Sequence, residues 1–297
     1  METQRSVRAW LDQKKILVSD GAWGTQLQER GLPPGECPEL WNLTHRSDVV
    51  AVAKSYIDAG ADIILTNSFG GSPRKLALYE LADRAAELNE AAGAISREAA
   101  GSDHLVFGSI GPTGAILMTG EVSEKSLYDG FYLQAKSLKK GGVDALCVET
   151  MSAIDEACLA VRAAREATGL EVACTFTFEK TISGEYRTMM GVSPADMAAA
   201  VKEAGAAVIG ANCGNGFERM IDIVRAIREA DPSTPVLIHA NAGKPEVRDG
   251  KTVFPETPAM MASRINDLIK AGANIIGGCC GTTPAHIRAL ANAIRKT

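Results

Sequence analysis

The chain has 297 residues, of which 46% are hydrophobic and 23% charged, and its 31 Lys and Arg against 36 Asp and Glu leave a formal net charge of −5. This balance is that of an ordinary globular protein and excludes a disordered or collagen-like chain. A mildly acidic chain also lacks the clustered basic residues of nucleic-acid-binding proteins, so no nucleic acid is expected as a partner.

No apolar run approaches the roughly 18 residues that a membrane-spanning helix needs, and the opening METQRSVRAWLDQKK contains no apolar signal segment. We therefore expect no membrane association and a cytoplasmic location. Seven cysteines without a secretory signal do not indicate a disulfide framework. Cys147, Cys158 and Cys174 lie in apolar runs and are expected to be small buried hydrophobes. Cys37, in the loop GLPPGECPEL, is expected to be more exposed and has no assigned role.

Eight short apolar runs predict buried strands, in the order ILVSD, ADIILTN, HLVFGSI, DALCVET, EVACTFTF, AAVIGAN, PVLIHAN and ANIIGG. Runs of this kind are typical of parallel strands that are covered on both faces. Stretches with helical spacing lie between them, at 47–59, 73–100, 124–140, 153–167, 217–230 and 258–271. A last helix is expected to open at Pro284, with Thr283 as its N-cap.

A short glycine motif occurs four times, and each copy closes a helix and leads into the second, fourth, sixth or eighth strand. The copies contain Gly60, Gly141–Gly142, Gly205 and Gly272. Glycine just past a helix end takes the left-handed conformation at little steric cost. Eight regular strand–helix units predict a single-domain α/β protein, a (β/α)₈ TIM barrel over residues 1–297. An open doubly wound sheet is the alternative.

The connections that follow strands are long and rich in Gly, Pro and polar residues, at 21–45, 179–191 and 242–256. In barrels of this class the active site lies where the strands end. Candidate site residues follow the first, second, fourth, sixth, seventh and eighth strands: Asp20, Gly21, Ala22, Thr66, Asn67, Glu149, Cys213, Asn241, Cys279 and Cys280. Carboxylates therefore collect on one side of this rim and thiols on the other.

The thiols give the stronger signal. Cys213 ends the sixth strand and Cys279–Cys280 end the eighth, so only the seventh strand separates them. Their backbones are then roughly 10 Å apart, and a zinc ion with Zn–S bonds near 2.3 Å can bridge side chains that converge over this gap. Three protein ligands leave one tetrahedral position open, as in catalytic zinc sites. A vicinal disulfide with an unrelated thiol, or three buried cysteines, are the other interpretations.

Motifs for competing chemistry are absent from the sequence. It contains no CxxC of a zinc ribbon, no HxH of a barrel hydrolase, no CxxxCxxC of a radical enzyme and no GxxxxGK[ST] phosphate loop. The glycines of GSIGPTG do not form GxGxxG and indicate tight turns. Among the four histidines, His286 is expected to be structural, and the side on which His239 lies relative to Asn241 stays open.

An all-thiolate zinc site indicates a particular chemistry. Zn²⁺ with three thiolates carries a net charge of about −1, so it polarises carbonyls poorly but binds a fourth sulfur well and keeps it deprotonated. A free thiol with a pKa near 8.5 is only about 3% ionised at pH 7, so this gains roughly 30-fold in thiolate. Positioning must supply most of the remaining acceleration. The site therefore predicts a thiol alkyltransferase.

The carboxylate side fits a thiol that is also an amino acid. Asp20 and Glu149 could pair with an ammonium group, and the N–H groups of the Gly21–Ala22 turn could hold a carboxylate. Asp20 could instead cap a turn, and Glu149 could pair with a polar group in the core. Thr66 and Asn67 are further candidates for substrate binding, or they hydrogen-bond the loop backbone.

The motifs DGAWGT, TNSFG, VET, GANCGNG, NAG and GGCCGTTPAHIRAL together resemble the zinc-dependent homocysteine S-methyltransferases, over essentially the whole chain. GGCCGTTP with an upstream NC is the most specific part. The NAG segment is most similar to the homocysteine-binding module of cobalamin-dependent methionine synthase, followed by the S-methylmethionine-dependent enzymes. The resemblance implies Zn²⁺ on Cys213, Cys279 and Cys280, with the sulfur of homocysteine as the fourth ligand and methionine as the product.

The resemblance also implies roles for other residues. Asn241 matches the asparagine that occupies the open metal position when substrate is absent. Asp20 and Glu149 match positions near the substrate's amino group, and the Gly21–Ala22 turn matches the position of its carboxylate.

Two sources of the methyl group are expected from the resemblance. The chain ends after the predicted eighth helix without a folate-binding or corrinoid-binding module, so the donor is either a methylated corrinoid (methylcobamide) on a separate protein or a small molecule such as S-methylmethionine. Phe69 and Trp41 are weaker candidates for the donor side, where ordinary loop packing is the alternative. A different small thiol as acceptor, and a non-catalytic zinc-stabilised barrel subunit, are the other functional hypotheses.

Overall fold

The structure is a computed structural model that describes residues 5–248 and 251–296, so residues 1–4, 249–250 and 297 of the predicted domain lie outside the described residues. The strands of the described part are β1 (Leu17–Val18), β2 (Ile63–Leu65), β3 (Leu105–Ile110), β4 (Ala145–Met151), β5 (Glu171–Phe176), β6 (Glu179–Lys180), β7 (Tyr186–Arg187), β8 (Val208–Asn212), β9 (Val236–Ala240), β10 (Glu246–Arg248), β11 (Lys251–Val253) and β12 (Ile275–Gly278).

Eight of these strands form one parallel sheet in the order β1-β12-β9-β8-β5-β4-β3-β2. Each strand therefore lies beside the next one along the chain, and a parallel bridge between Ser19 and Ile63 brings the first strand against the second. This order confirms the (β/α)₈ barrel and excludes the doubly wound alternative, in which the strand order reverses within the sheet. The β6–β7 and β10–β11 pairs are short antiparallel hairpins within the long connections after β5 and β9.

The helices of the described part are α1 (Val7–Lys14), α2 (Gly24–Glu29), α3 (Trp41–Thr44), α4 (Arg46–Ala59), α5 (Pro73–Leu76), α6 (Ala85–Ala100), α7 (Glu124–Lys140), α8 (Ile154–Thr168), α9 (Pro194–Glu203), α10 (Phe217–Ala230), α11 (Pro258–Ser263), α12 (Ile265–Ala271) and α13 (Pro284–Ile294). The sequence analysis did not predict α1, α2, α3 or α9. None of the helices in the described ranges is both long enough and apolar enough to span a membrane.

Two predicted helices are wrong as single units. The segment 73–100 is divided, because Glu80 takes a left-handed conformation with φ 59° and ends a short 3₁₀ turn before α6 begins. The segment 258–271 is divided at Arg264, whose N–H bonds to Met261 O three residues back. The opening of α13 agrees with the prediction, with Thr283 as N-cap and Pro284 as its first residue.

The four glycine turns have the expected conformation, with φ of 99° at Gly60, 94° at Gly142, 98° at Gly205 and 114° at Gly272. An arginine from another helix packs against each turn. The four pairs are Arg97 with Gly142, Arg165 with Ala204 beside Gly205, Arg228 with Gly272, and Arg295 with Gly60. The repeated glycine motif therefore marks a repeated packing unit.

The interior of the barrel is filled by apolar side chains from all eight strands, and Val7 and Leu11 of α1 belong to the same cluster. Two hydrogen bonds fix the ends of α1. Val7 N donates to Glu171 at the start of β5 at 2.5 Å, and Lys14 Nζ donates to Asp62 just before β2 at 2.5 Å. The helix thereby closes the end of the barrel where the strands begin. The polar residues are left at the opposite end.

The expectation that Cys37 is exposed is wrong. This cysteine is buried, because it packs with Leu76, Ala85 and Leu88 in a small apolar cluster under the loop that follows α2. Its thiol donates to Glu39 Oε2 at 3.3 Å, and burial raises the pKa of the Cys37 thiol to about 12. A thiol in this environment is unreactive.

Candidate metal and substrate site

A cavity of about 410 Å³ opens where the barrel strands end. All the predicted site residues except Asn241 line it, and so do Trp23, Thr25, Ser109 and His239. No lysine or arginine of the described residues lines this cavity. The cavity is therefore acidic and rich in thiols.

The three cysteine sulfurs meet at the edge of this cavity. Their Sγ atoms all lie within 4.8 Å of one another, and Cys213 Sγ and Cys280 Sγ are 4.0 Å apart. Strand β9 holds the two contributing strand ends together, since His239 O accepts from Cys213 N at 2.9 Å and Ala240 O accepts from Cys279 N at 2.7 Å. Sulfurs that surround zinc tetrahedrally at about 2.3 Å are about 3.8 Å apart. The observed separations fit that ion.

The thiols of this cluster share their protons unequally. Hydrogen bonds from the Cys279 and Cys280 thiols lower the pKa of Cys213, and Gly214 N–H and the Asn241 side chain lower it further. The same contact with Cys213 raises the pKa of Cys279 well above its ordinary value. These hydrogen bonds therefore favour the thiolate form of Cys213.

Asn241 adds a fourth polar group beside the sulfurs. Its side chain bonds to Cys213, while its Oδ1 is buried without a hydrogen-bond partner in the described part of the chain. Buried oxygens in native proteins are almost always paired. An unpaired amide oxygen beside these sulfurs can act as a ligand for a bound cation. The three cysteines and Asn241 therefore fit a metal site.

Two buried carboxyl groups line the same cavity. Asp20 is 1% exposed, and its Oδ2 accepts from Leu65 N and from Trp23 Nε1, both at 2.8 Å. Glu149 is 8% exposed and accepts from the Ser109 hydroxyl. Burial raises the pKa of each carboxyl to about 7. Because none of the described residues that line the cavity is a lysine or arginine, these groups are suited to bind a cationic ligand.

The predicted substrate residues of the first two strands are already partly engaged. Ala22 N–H donates to Thr282 Oγ1 at 3.1 Å, so this N–H is paired within the protein. Gly21 has no room for a side chain, because a Cβ there would lie 2.7 Å from the same Thr282 oxygen. Thr66 Oγ1 accepts from Ser109 N at 2.9 Å, and Asn67 Nδ2 donates to Pro38 O at 2.7 Å. These contacts hold the loops that frame the cavity.

The two donor-side candidates lie in different places. Phe69 lines the cavity and is 41% exposed. Trp41 is buried outside the cavity lining and stacks on His45 with ring centroids 4.1 Å apart. The structure therefore leaves Phe69 at the cavity and assigns Trp41 to loop packing.

Sequence reasoning missed Asn212, which connects the two sides of the site. Its Oδ1 accepts from Thr150 N at 2.8 Å and from Thr175 Oγ1 at 2.7 Å, and its Nδ2 donates to Thr150 Oγ1 at 2.7 Å. Thr150 and Cys213 are both left-handed, with φ of 63° and 61°. Such values are strained for residues other than glycine and cluster at functional sites. Asn212 thus stabilises a strained backbone next to both Glu149 and Cys213.

His239 is a second residue that the sequence left open. Leu237 belongs to the cluster inside the barrel, so His239 and Asn241, two and four residues further on, face the same way. His239 is 2% exposed and lines the cavity, and burial lowers its pKa to about 4. The imidazole is therefore uncharged. Counting the alternation from Leu237 would have placed it inside the barrel.

Fold and site together define a (β/α)₈ barrel with an acidic cavity at the end where its strands end, beside three sulfurs that could hold a metal ion. The homocysteine S-methyltransferase family model matches residues 17–294. The chain belongs to the homocysteine S-methyltransferase family.

Curated relatives agree with this assignment, and a solved structure has the same fold. The chain is 31% identical to the methionine synthase of Mycobacterium tuberculosis (strain ATCC 25618 / H37Rv) and 30% identical to that of Mycobacterium leprae (strain TN), over 95% of its length in each case. It spans about a quarter of those relatives, 25% and 24%. The metallated form of the homocysteine methyltransferase MmuM from Escherichia coli has the same fold, with a TM-score of 0.79 and 24% identity over 96% of this chain and 99% of that one.

Proposed function

We propose that this chain methylates the sulfur of homocysteine to give methionine, at a zinc ion held by Cys213, Cys279 and Cys280. The observation that carries the proposal is the meeting of three sulfurs and two buried carboxyl groups in one cavity. The match to the homocysteine S-methyltransferase family supports homocysteine as the acceptor, and the methionine synthases at 30–31% identity support methionine as the product.

Zinc, when bound, would supply a site for the substrate sulfur as fourth ligand and would keep that sulfur deprotonated at neutral pH. The chain's own residues prepare this site. Strand β9 fixes the spacing of the three cysteines through its backbone carbonyls. The hydrogen bonds that lower the pKa of Cys213 favour the thiolate that a cation binds, and one of them comes from the Asn241 side chain.

The carboxyl groups orient the acceptor. We propose that Asp20 and Glu149 bind the ammonium group of homocysteine, since they are buried carboxyls in a cavity that no lysine or arginine of the described chain lines. The acceptor sulfur then lies on the thiol side of the cavity. During transfer its electron pair forms the new bond to the methyl carbon, and the donor leaves with the electron pair of the broken bond. Holding both reactants in line supplies much of the acceleration.

The donor is part of the proposal. We propose a methylated corrinoid carried by a separate protein, with S-methylmethionine as the small-molecule alternative, delivered from the side of the cavity where Phe69 is exposed. The cysteines of the chain are free thiols, which agrees with the reducing cytoplasm as the proposed location.

The substitution Cys213→Ala tests the proposal. We expect it to abolish both zinc retention and methionine formation, because the two remaining thiols and Asn241 hold the ion too weakly. Zinc is measured with a chromophoric chelator after dialysis. Methionine is measured with homocysteine and, in turn, methylcobalamin, S-methylmethionine, S-adenosylmethionine and glycine betaine.

Cys158→Ala is the matched control, since Cys158 lies on α8 with its thiol directed to Ala200 O and far along the chain from the cluster. This variant should retain zinc and turnover. Unchanged turnover in Cys213→Ala would contradict the zinc mechanism. Failure of the wild type to methylate homocysteine with any of the four free donors would contradict S-methylmethionine as the donor.

A further inference from the structure

His239 lies on the inner wall of the barrel, one layer of side chains below Asn241. It is paired in register with Gly277 of β12 on one side and with Asn212 of β8 on the other. Its side chain lines the cavity where the barrel strands end, which is the face that carries the active site in barrels of this class.

The neighbouring strand makes room for the ring. A Cβ at Gly277 would lie 2.9 Å from His239 Cδ2 and 2.7 Å from Asp20 O. Any residue other than glycine at 277 would therefore displace the imidazole or the backbone of residue 20. The absence of a side chain there lets the ring of His239 pack next to Asp20.

The ring has an unsatisfied polar atom. His239 is 2% exposed, and its Nε2 has no hydrogen-bond partner among the described residues. A buried ring nitrogen without a partner is destabilising, and such atoms in native proteins call for a ligand, a water or a catalytic role. Within the described chain the ring lines the same cavity as Asp20 and Glu149.

A primary ammonium group has three N–H donors and no acceptor. Two carboxyl groups on the cavity wall supply two acceptors, and the unpaired Nε2 of the His239 ring supplies a third through its lone pair. We propose that His239 is a further substrate-binding residue, whose ring accepts a hydrogen bond from the ammonium group of the amino-acid substrate beside Asp20 and Glu149. This inference rests on the proposed function, because it assumes an acceptor that carries an amino group.

The experiment compares homocysteine with 4-mercaptobutanoate, which is the same thiol without the amino group. Binding of each to the zinc-loaded protein is measured by calorimetry, for the wild type, His239→Met and His239→Gln. Methionine has a similar volume to histidine but no strong acceptor, whereas glutamine can place an amide oxygen near the position of Nε2. We expect His239→Met to weaken homocysteine at least about tenfold, as the loss of a hydrogen bond to a charged group does. We expect the affinity of His239→Met for 4-mercaptobutanoate to change less than about twofold. We expect His239→Gln to retain most of the affinity for homocysteine.

Equal weakening of both thiols in His239→Met would overturn the inference, because it would show that the ring only packs. Unchanged binding of homocysteine would overturn it as well. Failure of the wild type to bind either thiol would instead count against the proposed function, so the two failures are distinguishable.

A second measurement follows the ring of His239 directly in the wild type. In the wild type, the ¹⁵N resonances of the His239 ring should move when homocysteine is added, and they should move much less with 4-mercaptobutanoate. The spectrum of His239→Gln identifies the resonance among the four histidines of the chain. Equal shifts with the two thiols would contradict the inference.

Discussion

At the scale of single residues, the carboxyl pair is the most consequential feature of the cavity. Burial raises the pKa of Asp20 and of Glu149 to about 7, and the charge of Asp20 also raises that of Glu149. Each group is therefore partly protonated near neutral pH in the free protein. An ammonium ligand favours the ionised form, so binding such a ligand must release protons when the pH is below about 7.

This predicts a pH dependence of ligand binding. Methionine is the ligand of choice because it has no thiol to titrate. Its affinity should rise as the pH increases from about 5.5 and should level off above about 7. The rise should be up to about tenfold per pH unit for each carboxyl. Glu149→Gln should make this dependence shallower. Calorimetry in two buffers of different ionisation enthalpy measures both the affinity and the protons released. An affinity for methionine that does not vary with pH in the wild type would contradict the prediction.

At the scale of secondary-structure elements, the ends of β4 and β8 behave as one unit. A register shift interrupts β4 between Val148 and Met151, and the left-handed Thr150 lies within it. The Asn212 amide bonds to both the N–H and the hydroxyl of Thr150 across β5. The Asn212 side chain thereby joins the end of β4, which carries Glu149, to the end of β8, which precedes Cys213.

We expect Asn212→Ala to lower zinc affinity by about 10- to 100-fold, the usual effect of losing a group that orients a metal ligand. The backbone of Cys213 has a left-handed conformation with φ 61°. Loss of the Asn212 amide, one residue earlier, would leave this conformation less constrained. Zinc affinity is measured by competition with a chromophoric chelator, and folding by circular dichroism. Thr177→Val is the control, because it removes only the bond from the Thr177 hydroxyl to Asn212 O. Equal zinc affinity in the two variants would show that the Asn212 amide does not position the cysteine.

At the scale of the whole molecule, the arginines of the four glycine turns tie neighbouring units of the barrel together. Arg228 illustrates the arrangement, since its guanidinium donates to Gly272 O at 2.8 Å, Thr234 O at 2.6 Å and Asn274 Oδ1 at 2.7 Å. These contacts join α10 to the turns that lead into β9 and β12. They satisfy backbone carbonyls at the end of the barrel opposite the cavity.

Arg228→Ala should therefore reduce the free energy of unfolding by about 2 kcal/mol, because it leaves several partly buried oxygens without donors. Urea titration followed by circular dichroism measures this change. Arg225→Ala is the matched control on the same helix, since Arg225 is exposed and forms an ion pair with exposed Asp222 three residues away. That variant should change the free energy of unfolding by less than about 0.5 kcal/mol. An equal effect of both substitutions would contradict the packing role of Arg228.

The amino-acid sequence by itself determined the eight strands, the glycine turns and the meeting of Cys213 with Cys279 and Cys280. Apolar runs and glycines act locally, and parallel strands in one barrel necessarily end on the same face. Only the tertiary structure decided that Cys37 is buried, that Ala22 N–H is paired with Thr282 and that Asn212 joins two strand ends. Each of these depends on which atoms of distant segments come within hydrogen-bonding or packing distance, and no local pattern in the sequence encodes that distance.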